Sequence, residues 1–428
     1  AHRGRRVSPV SLAPEPARNP NSRLITDPPG WFRFLSSAII NRLIDPQRQT
    51  KRRAKAERAR LKAGAPHRVE YFHQHDDPYS HLAQQVLDAF KERYDIELVI
   101  HQIRASGGKN QPELANLETW ARRDAELIAA HYGLIRPSDM TDRWDTAPDD
   151  VALDEGSARL AKLGHYSGGM FYYAREWYWG IDRLFYLEQR LRDLGACKQP
   201  TLPYLCPRPN IDVSGADASQ LALDFYPSLN SPYTSIIYGR TIAMARECGI
   251  QFNHKPVLPM VMRGVPATRQ KGMYINFDTK REAGHLGVDF GPMMFPVGEP
   301  TRAIYSLIPW AREQGKDVAL LSSALRLAWA EGAGLHRKTG LQQAVKRAGL
   351  DWNAAQQHLG SDAWKEETAL CQLEMAQELG LWGVPSYRLR GGAGEDDLCV
   401  WGQDRLWLIA AEIRRRAALT AQPSGIAG

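Results

Sequence analysis

Cysteine is scarce in this chain, and no two cysteines stand close together. The five are Cys197, Cys206, Cys248, Cys371 and Cys399, with no Cys-x-x-Cys. A dithiol redox centre or a zinc ribbon therefore finds no ligands. Scattered cysteines suit a reducing compartment. Long apolar runs are missing too, so no transmembrane helix is expected, and no apolar segment at the start reads as a secretory signal. Together these place the chain in the cytoplasm, peripheral to a membrane at most. Positive charge is lacking from the body of the sequence. Residues 1–66 hold 15 Lys/Arg against 4 Asp/Glu, whereas the remainder holds 40 against 44. A slightly acidic body does not read as one that grips a specific nucleic acid.

What is present is ordinary globular composition: 428 residues, 43% hydrophobic and 24% charged. That is enough for two or three compact domains. Residues 1–30 are rich in Pro, Arg and Ser, without periodicity, and read as disordered. Trp31, Phe32, Phe34, Leu35, Ile39, Ile40, Leu43 and Ile44 then follow at the spacing of one face of a short helix. A basic run, Lys51, Arg52, Arg53, Lys55, Arg58, Arg60 and Lys62, comes next. This arm predicts either a helix that packs on the body and leads into a solvated charged helix, or an attachment to an anionic membrane surface or acidic partner.

An internal repeat organises the rest. Residues 69–82 read V-E-Y-F-H-Q-H-D-D-P-Y-S-H-L and residues 223–236 read L-D-F-Y-P-S-L-N-S-P-Y-T-S-I. Each is an apolar strand, a polar loop and Pro-Tyr-Ser/Thr opening a helix. Second strands follow at Ile96–Ile103 and Phe252–Leu258. Each copy closes on one phrase, Trp179-Gly180-Ile181-Asp182-Arg183-Leu184 and Trp401-Gly402-Gln403-Asp404-Arg405-Leu406. Matching phrases at both ends, in the same order, mark a duplication. Between second strand and closing phrase lies helical periodicity, short in copy one (116–133 and 151–163) and longer in copy two (301–314, 318–331, 341–348 and 362–379). The predicted fold is α/β, two thioredoxin-like domains in tandem, each with a helical insertion, larger in the second. The predicted divisions are a basic arm (1–66), a degenerate first domain (67–195), a Pro- and Gly-rich linker (196–220), a second domain (221–418) and a tail (419–428).

The phrase L-D-F-Y-P-S-L-N-S-P-Y-T, with K-G-M-Y-I-N-F-D (271–278), G-L-W-G-V-P-S-Y (380–387) and W-G-Q-D-R-L (401–406), resembles the DsbA-type thioredoxin family. Its most similar branch is that of 2-hydroxychromene-2-carboxylate isomerases and kappa-class glutathione transferases. The resemblance covers residues 221–415 and, more weakly, 67–195. In that branch a serine before Pro-Tyr holds the glutathione thiolate, which implies Ser231 as the catalytic residue. The local chemistry agrees. Serine is a favoured N-cap and Pro232 occupies the first helical position, where proline is favoured. A hydroxyl donor at the positive end of a helix dipole lowers the pKa of a bound thiol.

The resemblance implies glutathione as cofactor, contacted by Pro232, Tyr233, Lys271, Val384, Pro385, Gln403 and Asp404. Val384-Pro385 matches the step whose proline is cis and whose backbone pairs with the cysteinyl residue as an added strand. Gln403 and Asp404 would take the γ-glutamyl end. Tyr274, Asn276 and Trp382 are the implied substrate contacts, with Tyr226, Tyr233 and Trp310 as further aromatic lining. The family's asparagine upstream of the lysine has no counterpart; Met262 or Thr268 falls near it.

Copy one departs from the pattern. Asp77 stands in place of Ser231, and Gly168-Gly169 in place of Val384-Pro385. A carboxylate there repels a thiolate. His73, His75, His81 and His101 lack the fixed spacing of a metal site, so no metal is assigned. The function expected is a glutathione-dependent isomerase or transferase acting on an unsaturated or aromatic small molecule. The alternative is a non-catalytic thioredoxin-like binding or scaffold protein. A small-molecule substrate and a second copy of the chain are the remaining expected partners.

Overall fold

A computed structural model describes residues 14–105, 107–139, 149–392 and 394–421. The first 13 residues of the arm and residues 422–428 of the tail lie outside them. The arm contains α1 (Arg23–Thr26), α2 (Gly30–Ile44) and α3 (Pro46–Lys62). Contacts then divide the chain into two bodies. One comprises residues 43–210 and 268–274, and the other residues 1–42, 211–267 and 275–428.

The first body carries β1 (Arg68–Gln74), α4 (Pro78–Gln84), α5 (Leu87–Arg93), β2 (Glu97–Ile103), α6 (Leu114–Ala129), α7 (Asp150–Leu163), β3 (Met170–Tyr173), β4 (Glu176–Trp179) and α8 (Gly180–Asp193). Its sheet has the order β2-β1-β3-β4. β1 runs parallel to β2, with Tyr71 opposite Ile100, and antiparallel to β3, with Tyr71 opposite Phe171. β1 is buried on both faces, with Glu70 and His73 among its buried residues. Phe72, Ile103 and Leu160 form one layer of this core.

The second body repeats the plan. β5 (Ala222–Tyr226), α9 (Pro232–Glu247) and β6 (Gln251–His254) lead into α10 (Arg269–Leu286) and a helical insertion. The insertion comprises α11 (Glu299–Ser306), α12 (Ile308–Glu313), α13 (Asp317–Trp329), α14 (Lys338–Arg347), α15 (Trp352–Ala355) and α16 (Trp364–Gln377). β7 (Ser386–Arg390), β8 (Leu398–Trp401) and α17 (Leu406–Ala421) close it. The sheet order is β6-β5-β7-β8, the same arrangement as in the first body. Phe225 of β5 stacks on Tyr387 of β7, with ring centroids 5.0 Å apart. The repeat read in the sequence is thus a duplication of topology, with the larger insertion in the second copy.

The N-terminal segment corrects the sequence reading in two places. Residues from Pro14 onward are not a free arm. Asn19 Nδ2 donates to the carbonyls of Val261 and Met262, and Asn21 Nδ2 to those of Val261 and Val265. Arg302 pairs with Glu15 at 2.8 Å and Asp27 at 3.0 Å. The second correction is the orientation of α2. Trp31, Phe34, Leu35 and Ile39 do not face the body, although Ile44 at the end of the helix is buried; Arg33, Ser37 and Asn41 do. They hydrogen bond the extended segment 293–297, whose backbone groups have no sheet partner and need one. No helix among the described residues is long and apolar enough to cross a membrane.

Candidate functional site

The site residue with the strongest sequence argument, Ser231, stands where that argument places it. It caps α9 in an extended backbone conformation, with Pro232 at the first helical position. Its side chain is buried, 7% exposed. Oγ accepts from Thr234 N at 3.1 Å and donates to the carbonyl of Val384 at 3.3 Å. The first bond is a helix cap. The second is long for a hydroxyl donor, and so is the bond a competing acceptor displaces most easily.

The loop before Ser231 is held by the helical insertion. Tyr305 of α11 donates from its hydroxyl to the carbonyl of Val257 and accepts from Leu229 N. Trp329 of α13 donates its indole N–H to Leu229 O at 2.8 Å. Both backbone groups of Leu229 are thereby fixed, two residues before Ser231. Motif reading missed Tyr305 and Trp329, because they lie about 75 to 100 residues downstream in helices whose periodicity reports only burial.

The Val384–Pro385 bond is cis. Pro385 O accepts from Gly402 N at 2.9 Å, tying this step to the closing Trp-Gly phrase. In the first body Gly169 O accepts from Gly180 N at 2.7 Å, the same bond at the same place in the repeat. Arg263 donates to the carbonyls of Leu258 and Trp382, at 2.9 and 2.7 Å. This guanidinium has no carboxylate within ion-pair distance among the described residues, and burial lowers its pKa to about 10. Its task is to fix the backbone before Gly383.

Gln403 and Asp404 follow Gly402 at the mouth of α17. Gln403 Nε2 donates to Glu282, while its carbonyl oxygen is buried without a hydrogen-bond partner among the described residues. Tyr233 donates to Asp278 at 2.8 Å. The equivalent tyrosine of the first body, Tyr79, donates to Asp124 at 2.7 Å. Asp124 and Asp278 are each 1% exposed. Each follows a buried aromatic by four residues, Trp120 and Tyr274. Aligning 116–124 with 270–278 shows this shared pattern, so the signal was present in the sequence. Tyr233 therefore anchors α9 to α10.

The remaining predicted residues are divided between the two bodies. Asn276 is buried in the second body and Trp382 packs on Trp401, with ring centroids 5.1 Å apart. Tyr226 is wholly buried in the sheet core, and Trp310 stacks on His358 within the insertion. Lys271 and Tyr274 belong to the first body. Tyr274 meets His165 edge-on at 5.1 Å. Lys271 Nζ donates to Asn110 O at 3.1 Å, and Asn110 Oδ1 also accepts from Thr268. Asn110 was not singled out in the sequence, since it comes from copy one.

Burial lowers the Lys271 pKa from 10.5 to about 8. The unfolded chain holds the proton more tightly than the folded one. This lysine therefore destabilises the fold most below pH 8, and its contribution to stability rises with pH between about 8 and 10.5. In carbon-13 methylated protein, one lysine resonance should titrate near 8 and vanish in Lys271→Gln. Uniform titration near the ordinary lysine value would refute a buried ammonium.

In the first body the corresponding position holds a half-buried carboxyl. Asp77 caps α4, accepting from Ser80 N at 2.9 Å and Ser80 Oγ at 2.7 Å. Burial pushes its pKa up despite these bonds. A side-chain carbon at Gly169 would lie 3.2 Å from the Asp77 carboxyl. The histidines nearby have other partners: His81 the carbonyl of His75, and His101 the carboxylate of Glu70. No group of three or more metal-ligating side chains occurs among the described residues.

A serine-capped helix facing a cis-proline step on a β-α-β…β-β-α sheet has a family match. Residues 222–414 match the family model of the DSBA-like thioredoxin domain. Among solved structures, a 2-hydroxychromene-2-carboxylate isomerase shares 20% identity with the chain, covering 47% of it and 98% of its own length, with a TM-score of 0.39. A probable DsbA oxidoreductase from Streptomyces coelicolor shares 17%, covering 48% of this chain and 93% of its own, with a TM-score of 0.36. The cytosolic disulfide reductase DsbM from Pseudomonas aeruginosa shares 15%, covering 46% and 98%, with a TM-score of 0.34. No curated protein matches. At the start of α9 this region has Ser231 and, three residues on, Thr234, with no cysteine between them.

Proposed function

We propose that the second body is a glutathione-dependent isomerase or transferase acting on an unsaturated or aromatic small molecule. The observation that carries this is the Ser231 hydroxyl. It caps a helix of 16 residues and spends its proton on a long bond to Val384 O, in a DSBA-like domain without a dithiol. A disulfide-exchange reading has no Cys-x-x-Cys to work with, and no cysteine stands at the start of α9. Bound glutathione would supply a nucleophilic thiolate.

The chain's own residues fit such a group. The Ser231 proton, released from Val384 O, is a donor to a sulfur anion beside the positive end of α9. Val384 O is then free to accept an amide N–H from an extended ligand. The unpaired oxygen of Gln403, next to the Asp404 carboxylate, offers acceptors to an ammonium. Tyr305, Trp329 and Arg263 keep the two backbone segments in place, so no reorganisation is needed when charge forms. The first body, with Asp77 capping its helix, serves in binding or support.

Thermal melting in millimolar glutathione tests it. A ligand at about ten times its dissociation constant should raise the midpoint by roughly 2–4 °C. S-methylglutathione should do less, having no thiol to ionise. The response should survive Asp77→Ala. A chain whose melting ignores glutathione, or whose response depends on Asp77 instead, is a non-catalytic binding protein or uses the wrong copy.

A further inference from the structure

The outward face of α2 is apolar, and its rotation is fixed. Trp31 is 67% exposed, Phe34 60%, Leu35 50% and Ile39 48%. These positions repeat at three and four residues and make one continuous stripe. Leu24 and Ile25 of α1 are also exposed. The opposite face is fully committed. Arg33 donates to the carbonyls of Phe295, Val297 and Pro28. Ser37 Oγ accepts from Phe295 N, and Asn41 exchanges two hydrogen bonds with Met293. Turning the helix to bury its apolar stripe would break all of these. The stripe is therefore held outward by construction.

The charge around the stripe has one sign. Arg23 and Arg42 flank it, both exposed and without a carboxylate partner among the described residues. Asp27, the sole acid from residue 16 to 44, is engaged by Arg302 and by Glu299 N. The chain continues through Asp45 into α3, with eight Lys/Arg and one Glu. Arg53 and Arg60 are paired with Glu176 and Glu57. Arg48, Lys51, Lys55, Arg58 and Lys62 are exposed and make no ion pair among the described residues.

We propose that this segment docks the protein on an anionic lipid surface. Trp31, Phe34, Leu35 and Ile39 would enter the headgroup boundary, and Arg23 and Arg42 of the same body would meet lipid phosphates, with the α3 cations following in the chain. An exposed aromatic and aliphatic stripe with cationic flanks is the pattern of an interfacial helix. At 15 residues α2 is too short to span a bilayer, which takes about 20. A second copy seated on the same face would bring like charges together, so charge favours lipid over self-association.

Cosedimentation of the full chain with phosphatidylcholine–phosphatidylglycerol vesicles is the test, with pure phosphatidylcholine alongside. Binding to the mixed vesicles at low salt should fall at least about tenfold at roughly 0.5 M salt, where charges are screened. Replacing Trp31, Phe34 and Leu35 together by serine should reduce it similarly, with an unchanged melting midpoint, because these side chains are exposed. Replacing Arg48, Lys51, Lys55, Arg58 and Lys62 by glutamine should also weaken it. The proposal is overturned if the full chain stays in the supernatant at low salt, or if the serine variant binds as well as the parent. It is equally overturned if the parent is a dimer that the serine variant dissociates, since the stripe is then an interface between copies.

Discussion

Replacing Ser231 by alanine should reduce turnover by about 10²–10³, the usual loss when one preorganised donor to a developing anion is removed. The same change removes the acceptor for Thr234 N, so a stability loss of about 1 kcal/mol should accompany it. The two effects separate by measurement. Helix capping is read in the melting midpoint without ligand. Stabilisation of an anion is read in the thiol pKa of bound glutathione, followed by thiolate absorbance. Ser231→Ala should raise that pKa toward the free value, whereas Ser231→Thr should restore much of both properties. Should Ser231→Ala lower stability but leave the bound thiol's pKa alone, the serine is only a cap and the proposed chemistry fails.

The fold was legible because its punctuation stands at the ends of elements. Pro78 and Pro232 open helices, Trp-Gly closes both sheets, and the strands between are apolar enough to admit one sheet order. The centre of the site was legible for the same reason: Ser231, Val384 and Pro385 sit at element boundaries, where residue type is constrained by backbone geometry. What holds them was not. Tyr305, Trp329 and Arg263 act through single long-range hydrogen bonds to carbonyls and amides, and in the sequence a buried tryptophan in a helix looks the same whether or not its indole N–H has a task. Lys271 and Tyr274 stand on a helix, α10, that is continuous in sequence while its first residues group with the other body, a division that no local pattern announces.

The arm left two readings open, a helix packed on the body or an attachment to an anionic surface, and spacing alone does not choose the face. A stripe of Trp31, Phe34, Leu35 and Ile39 reads as a core face, and in most helices it is one. Here the polar face has better bonds to make. Segment 293–297 offers carbonyls and amides outside any sheet, and an arginine with two short bonds to them outweighs an apolar stripe that meets no hollow. Hydropathy spacing shows that a helix has two unlike faces; it does not show which face the neighbour wants.

Gly383→Ala should cause the largest effect after Ser231, through packing alone. A β-carbon at this position would lie 2.1 Å from two ring carbons of Trp401, far inside contact distance. The backbone cannot retreat cheaply. Gly383 O accepts from Ser386 Oγ at 2.9 Å, and Trp382 O is held by Arg263. The indole must therefore give way, against its packing on Trp382, and overpacking of this kind costs about 1–3 kcal/mol. In the first body the same position is Ser167. A side chain is accommodated there because Trp179, the counterpart of Trp401, packs on Tyr79 and Tyr274 instead. The clash is therefore a property of the Trp401 ring, and a double substitution tests that. Trp401→Ala alone should destabilise, yet Gly383→Ala should cost little in the Trp401→Ala background, a coupling of at least about 1 kcal/mol by chemical denaturation. If the two losses simply add, the indole is not what excludes the methyl group. Because Gly383 is bonded directly to Val384, the single substitution should also weaken the glutathione response, and the double variant should regain part of it.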